Sequence, residues 1–195
     1  HMDIQIGKRR HTPILKYLDE YDQLYLASSC SKTLNVPGLI GSYVILPDKT
    51  IRDRFLFQTR KKDFLNSVSI FGMYATMVGY TKCDDYIDQM VEYLRENMRI
   101  VEAFIAKELP DLSFQAPDAT YLAWIDARRV PFTSEQMQDA LVHVGKVAIM
   151  KGETYGENGE KYLRMNCGCP KEKLIDGLQR LKKAMDFLYS KGTMR

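Results

Sequence analysis

The segment from Asp84 to Pro110 constrains the fold more than any other part of the chain. Ile87, Met90, Val91, Leu94, Met98, Val101, Phe104 and Ile105 recur at steps of three and four. On a helix of about 3.6 residues per turn that spacing makes one apolar stripe. Asp84 or Asp85 starts the helix, and Pro110, which cannot continue it, stops it. A stripe this long has to be buried against a second layer, and short apolar runs on both sides of it supply one. Before it, segments 24–28 and 41–46 are nearly continuous apolar runs, as expected of strands covered on both faces. Asp48 opens a charged helical stretch through Arg60, and segment 66–80 reads as a largely buried helix. After it come predicted strands at 112–115 and 120–126, split by the turn Ala116-Pro117-Asp118. A helix over 134–143 starts at Ser134-Glu135 without a full capping box, and short strands follow at 147–150 and 162–166. A last helix over 171–189 points Leu174, Leu178, Leu181 and Leu188 inward. Strands alternate with helices throughout, so the fold class is α/β, with an α+β arrangement in a smaller second domain. The expected domains are residues 1–82, whose strands read as part of a larger sheet, and residues 83–195.

Composition excludes several functions. Lys and Arg total 28 against 25 Asp and Glu, a formal charge of +3 in 195 residues. That balance argues against a nucleic-acid partner, and Lys8-Arg9-Arg10-His11 reads as a solvated loop. No apolar run approaches the roughly 18 residues of a membrane span. The first residues lack the n-region and h-region of a signal peptide, so a cytoplasmic protein is expected. His1-Met2 looks like the remainder of a cleaved tag. Cys30, Cys83, Cys167 and Cys169 lack the spacing of a disulfide scaffold. Cys167-Gly168-Cys169 has no second pair, and His1, His11 and His143 fall at no ligand spacing, so no metal site is expected. Met98, Met137, Met150 and Met185 read as core filler.

Two segments carry chemistry. In Ser29-Cys30-Ser31-Lys32 a lysine follows three small hydroxyl or thiol residues just after a predicted strand. Ligands of open α/β sheets collect at strand ends. Serine hydroxyls and loop amides can hold a phosphate, and a lysine amine can attack a carbonyl carbon. That attack needs a neutral amine, present in only about one lysine in a few thousand at pH 7. Taken alone, the string reads as a solvated lysine in a polar turn. The second segment runs from Gly152 to Pro170, a glycine-rich loop leading into Tyr162-Leu163-Arg164-Met165-Asn166. An arginine alternating with apolar residues needs a carboxylate or phosphate to meet it, and a structural Asp or Glu is the ordinary partner.

Together the two segments resemble the pyridoxal-phosphate (PLP) aminotransferases of fold type I, class I/II. Ser29 to Gly38 fits that family's lysine signature at every position, and Gly152 to Pro170 fits its C-terminal strand motif. Pro117-Asp-Ala-Thr-Tyr121-Leu-Ala-Trp124-Ile-Asp126 is similar to a third family stretch, in the same order. The resemblance implies that Lys32 binds PLP covalently and moves the Cα proton, and that Ser29 and Ser31 help hold the cofactor phosphate. It also implies that Arg164 clamps the α-carboxylate of an amino-acid substrate, and that the enzyme is a homodimer. Where the family signature has a phosphate-binding arginine, this chain has Ile40. The phosphate would then rely on hydroxyls, amides and groups outside this chain. Ser-Lys-Thr-Leu-Asn-Val-Pro-Gly-Leu-Ile-Gly-Ser-Tyr resembles the cystathionine β-lyase subgroup of the MalY/PatB type, which eliminates sulfur from the β-carbon. A true aminotransferase is the alternative.

Members of the family are about twice as long, and the resemblance covers only their C-terminal half. Residues 1–82 would be the end of the large PLP-binding domain and 83–195 the whole small domain. The aspartate that pairs with the pyridine nitrogen would lie just upstream of Asp3, which leaves both a tag remainder and a native origin open for His1-Met2. Weak or no PLP binding is therefore expected of the chain by itself. A reading of another class also follows, a non-catalytic module that self-associates through uncovered edges.

Overall fold

The computed structural model describes residues 1–21, 23–65 and 67–192. It is mixed helix and sheet, with the chain dividing into two compact units. One holds His1–Gln5 and Arg9–Gln89, the other Ile6–Lys8 and Met90–Arg195. The division falls inside the long central helix.

The first unit contains β1 (Leu26–Ser28), β2 (Tyr43–Ile45), α1 (Lys49–Phe57) and α2 (Ile70–Lys82). β1 and β2 pair antiparallel, Ala27 opposite Val44, as a two-stranded sheet. The sequence predicts strands covered on both faces, yet Ala27, Val44 and Ile45 are exposed. Among the described residues neither strand has a further neighbour, so apolar side chains suited to a buried sheet stand open. Asp48 caps α1 by accepting from the Ile51 N–H at 2.7 Å. The helix loosens into a wider turn at Gln58–Lys62.

α2 departs further from expectation. It starts at Ile70, and the predicted first residue, Asn66, lies outside the described residues. The helix is not largely buried. Phe71 is 75% exposed, and Ile70, Met73, Met77 and Val78 are open as well. Only Gly72 and Gly79 are buried. A Cβ on Gly72 would stand 2.6 Å from the carbonyl oxygens of Leu39 and Ile40, and one on Gly79 would stand 1.9 Å from Leu34 Cδ1. Between them Thr76 Oγ1 lies 3.4 Å from Cys30 Sγ. The side of α2 that packs is thus its small-residue face, which lets the loop after Lys32 come close. Among the described residues, its large apolar side chains stay largely open, Ile70 and Phe71 most of all.

The second unit is built on β3 (Leu122–Asp126), β4 (Met150–Lys151) and β5 (Tyr162–Asn166), in the order β3-β5-β4, all antiparallel. Ala123, Ile125, Leu163 and Met165 alternate onto one face and are buried. Against this core pack helices with matching stripes. α3 (Asp84–Glu108) buries Leu94, Met98, Val101 and Ile105, and α5 (Lys171–Gly192) buries Leu174, Leu178, Leu181 and Met185. Leu188, predicted to point inward, is half-buried. α4 (Ser134–Ala140) and the wide turn after it lie against α5.

Its predicted poor start proves to be a complete capping box one residue earlier. Thr133 Oγ1 accepts from the Gln136 N–H at 3.2 Å, and Gln136 Oε1 accepts from the Thr133 N–H at 2.8 Å. The predicted strand at 112–115 reduces to one bridge, Ser113 with Asp126. Met150 is 40% exposed rather than core. It pairs with Arg164 in register and so shares the open face of the sheet. Among the described residues no helix is long and apolar enough to cross a membrane, and no group of His, Cys, Asp or Glu could hold a metal ion.

Candidate active site

In the first unit the chain leaves β1 at Ser28 and turns at once through Ser29–Asn35. Ser29 Oγ donates to the Gly41 carbonyl at 2.5 Å and lies 2.5 Å from Ser31 Oγ. A serine has one hydroxyl hydrogen. With Ser29's given to Gly41, Ser31 donates to Ser29, and the Ser31 N–H also donates to Ser29 Oγ at 3.1 Å. Ser29 therefore fastens the loop, while the Ser31 hydroxyl can swing to another acceptor at the loss of one bond. The Gly41 end is held by a left-handed backbone, since Ile40 has φ 49° and its side chain is 74% exposed. A β-branched residue adopts that conformation only under constraint.

Lys32 follows with an exposed side chain. The next residue, Thr33, is buried and donates through Oγ1 to Asp3 Oδ2 at 2.7 Å. This tie pins the backbone directly behind Lys32 to the start of the chain. Nearby in the same unit Tyr43 and Tyr80 hydroxyls stand 3.5 Å apart, with rings edge to face. Burial, then the Tyr43 hydroxyl, then the negative potential of Asp3 and Cys30 push the Tyr80 phenol above its ordinary value. Ser29, Ser31 and Lys32 thus share one short loop.

Arg164 belongs to the second unit. It sits at the middle of β5, opposite Trp124 on β3 and Met150 on β4, on the open face of the sheet. Its guanidinium carbon lies over the Tyr155 ring, 4.1 Å from the centroid. Trp124 meets Tyr155 edge to face and stacks on Tyr162 at 5.5 Å and 19°. Among the described residues no carboxylate stands within ion-pair distance of Arg164. Among the described residues, the ordinary structural partner of such an arginine is therefore not beside it. Neighbouring Arg128, by contrast, grips Asp126 with two nitrogens and holds that carboxyl below its usual range.

Several features are invisible in the motifs. The placement of the Tyr155 ring over Arg164 (Tyr155 itself lies within the glycine-rich motif), the Thr33–Asp3 tie and the role of Asn97 arise from packing. Asn97 is fully buried within the α3 stripe and donates to the carbonyls of Cys167 and Cys169, behind Arg164's strand. Its one sequence signal is a polar residue interrupting an apolar stripe.

A family model described as Aminotransferase class I and II matches residues 1–181. The chain is 35% identical over 185 residues to Protein MalY of Escherichia coli (strain K12), covering 95% of this chain and 47% of that protein. It is 32% identical over 186 residues to Cystathionine beta-lyase PatB of Bacillus subtilis (strain 168), covering 95% and 48%. Among solved structures it is similar to cystalysin from Treponema denticola, which contains a pyridoxal 5'-phosphate cofactor. The TM-score is 0.88 at 26% identity, over 96% of this chain and 48% of that one. The chain spans about half the length of the relatives it matches.

Proposed function

The chain belongs to the aminotransferase class I and II family, and from that premise we propose that it is the C-terminal half of a PLP-dependent carbon–sulfur β-lyase. Its fold is that of the fold type I PLP enzymes. The observation that carries the reading is the pairing of two motifs: a lysine on a serine-lined loop and an arginine that has no carboxylate partner among the described residues.

The residues fit the cofactor. An anionic phosphate suits a loop whose Ser31 hydroxyl can turn to an outside acceptor beside a lysine. Lys32 and the Ser31 hydroxyl would hold PLP, with Ser29 fastening their loop to Gly41; when bound, PLP supplies a sink for the electron pair released at Cα. Arg164 binds the α-carboxylate of the amino-acid substrate through in-plane N–H donors and fixes which Cα bond is presented. Lys32 Nζ takes the Cα proton and later returns one to the product side. Net, cystathionine and water give homocysteine, pyruvate and ammonia. We place the enzyme in the cytoplasm as a homodimer.

The experiment feeds cystathionine to the full-length enzyme with and without a 2-oxoacid acceptor. Pyruvate formed without acceptor supports the lyase. Turnover that depends strictly on the acceptor assigns a transaminase instead, with the same residue roles.

A second reading concerns the chain by itself. The uncovered apolar face of α2 and the open β1–β2 sheet favour a self-associating, non-catalytic module. Light scattering of the 195-residue chain tests it, and a monomer at all concentrations overturns it.

A further inference from the structure

We propose that Tyr155 is a positioning residue that holds the Arg164 guanidinium in the orientation that receives a substrate carboxylate. The inference rests on the reading of Arg164 as the carboxylate-binding residue. A guanidinium on a long side chain at the middle of an open sheet face has many rotamers, and ordering them costs entropy. A carboxylate partner would normally fix it, but none stands near it among the described residues. What fixes it is an aromatic ring, 4.1 Å from Cζ. The choice matters chemically. A carboxylate on the protein would occupy the N–H donors, which lie in the guanidinium plane. A ring contacts the cation through its π face and leaves those donors for a ligand.

The ring is itself fixed from two sides. Trp124, directly across from Arg164 in the sheet, presses against it edge to face at 6.1 Å. The loop carrying it is closed by two glycines back to back. A Cβ on Gly152 would stand 2.3 Å from the Gly159 carbonyl oxygen, and one on Gly159 would stand 2.1 Å from that of Gly152. Gly156, just after Tyr155, has φ 135°, which only glycine adopts readily. The Gly-x-x-Tyr-Gly-x-x-Gly spacing is therefore a closed clasp with Tyr155 at its tip.

The test uses the 195-residue chain and NMR of the Arg164 side chain, with sodium acetate titrated against chloride at constant ionic strength. In the native chain the Arg164 Nε–H signal is displaced upfield by the ring and moves on adding acetate. Tyr155→Phe keeps both effects. Tyr155→Leu loses the ring displacement and weakens acetate binding about two- to fivefold, the range of an exposed cation–π contact. Tyr155 is 46% exposed, and dispersed Leu163 and Met165 amide signals confirm that the variant is folded. Equal acetate affinity in Tyr155→Leu and the native chain overturns the proposal and leaves the carboxylate role of Arg164 standing. An Arg164 signal that ignores acetate in the native chain overturns that role, and the proposal with it.

Discussion

Replacing Asn97 by aspartate tests how the strand carrying Arg164 is held. Asn97 is fully buried, and its Nδ2 donates to the carbonyls of Cys167 at 2.8 Å and Cys169 at 3.0 Å. In Asn97→Asp the protonated carboxyl keeps one O–H donor, so one bond of two is lost, a cost of about 1 kcal/mol. The ionised form has no donor and sets negative oxygen against two carbonyl oxygens in a dry site. Its folded pKa is therefore raised above the unfolded value of about 3.9. Between those two values the folded state binds more protons than the unfolded one, so stability of the variant falls as pH rises. Each unit of that rise costs about 1.4 kcal/mol, and buried carboxyls shift by about 3–5 units. Above the folded pKa the deficit should therefore reach about 5–8 kcal/mol. Urea unfolding of native and variant chains, followed by Trp124 fluorescence at pH 4 and pH 8, measures it. A variant with the same deficit at both pH values would refute the placement of the Asn97 amide between two carbonyls.

Three further outcomes are expected. Gly159→Ala puts a methyl group 2.1 Å from the Gly152 carbonyl oxygen, so it should cost about 1–3 kcal/mol and abolish the ring displacement of the Arg164 signal. An unchanged urea midpoint would count against the glycine clasp. Burial pushes the Cys167 thiol up to about 12, so a maleimide at pH 8 should leave it unmodified in the folded chain while Cys83 reacts. Mass mapping that finds both labelled at one rate would contradict this. Arg128, mainly by its hydrogen bonds, holds the Asp126 carboxyl low, so that pair stabilises the fold above the unfolded carboxylate pKa. Its contribution is lost as pH falls through the lower folded value. In Arg128→Ala a carbon-detected titration should move Asp126 upward, and an unmoved midpoint would assign the depression elsewhere.

Much of the second unit is legible from periodicity. The stripes of α3 and α5 and the alternation of β5 each bury residues that have no other place to go, so spacing alone predicts them. Segment 112–115 and the α4 start are not so legible, because a single bridge and a two-way side-chain cap depend on which neighbours arrive. In the first unit the same apolar pattern misleads. Residues 24–28, 41–46 and 70–80 are apolar enough to be buried, but burial requires a partner surface, and in this chain Val44, Phe71 and Met77 are exposed.

The candidate site divides in the same way. Lys32, Ser29, Ser31 and Arg164 are read from the resemblance of their segments to a family's motifs, since each segment taken alone reads as a solvated lysine or a structural ion pair. Spacing cannot say that Ser29 is committed to Gly41, that Thr33 is tied to Asp3, or that Arg164 is met by a ring instead of a carboxylate. Those facts join residues far apart in the chain or depend on which way a side chain turns, and only the packed backbone brings them within hydrogen-bonding or van der Waals distance. The sequence by itself determines which groups are available. The tertiary structure decides which of them are already occupied, because a short-range contact has no energy until the fold closes the gap.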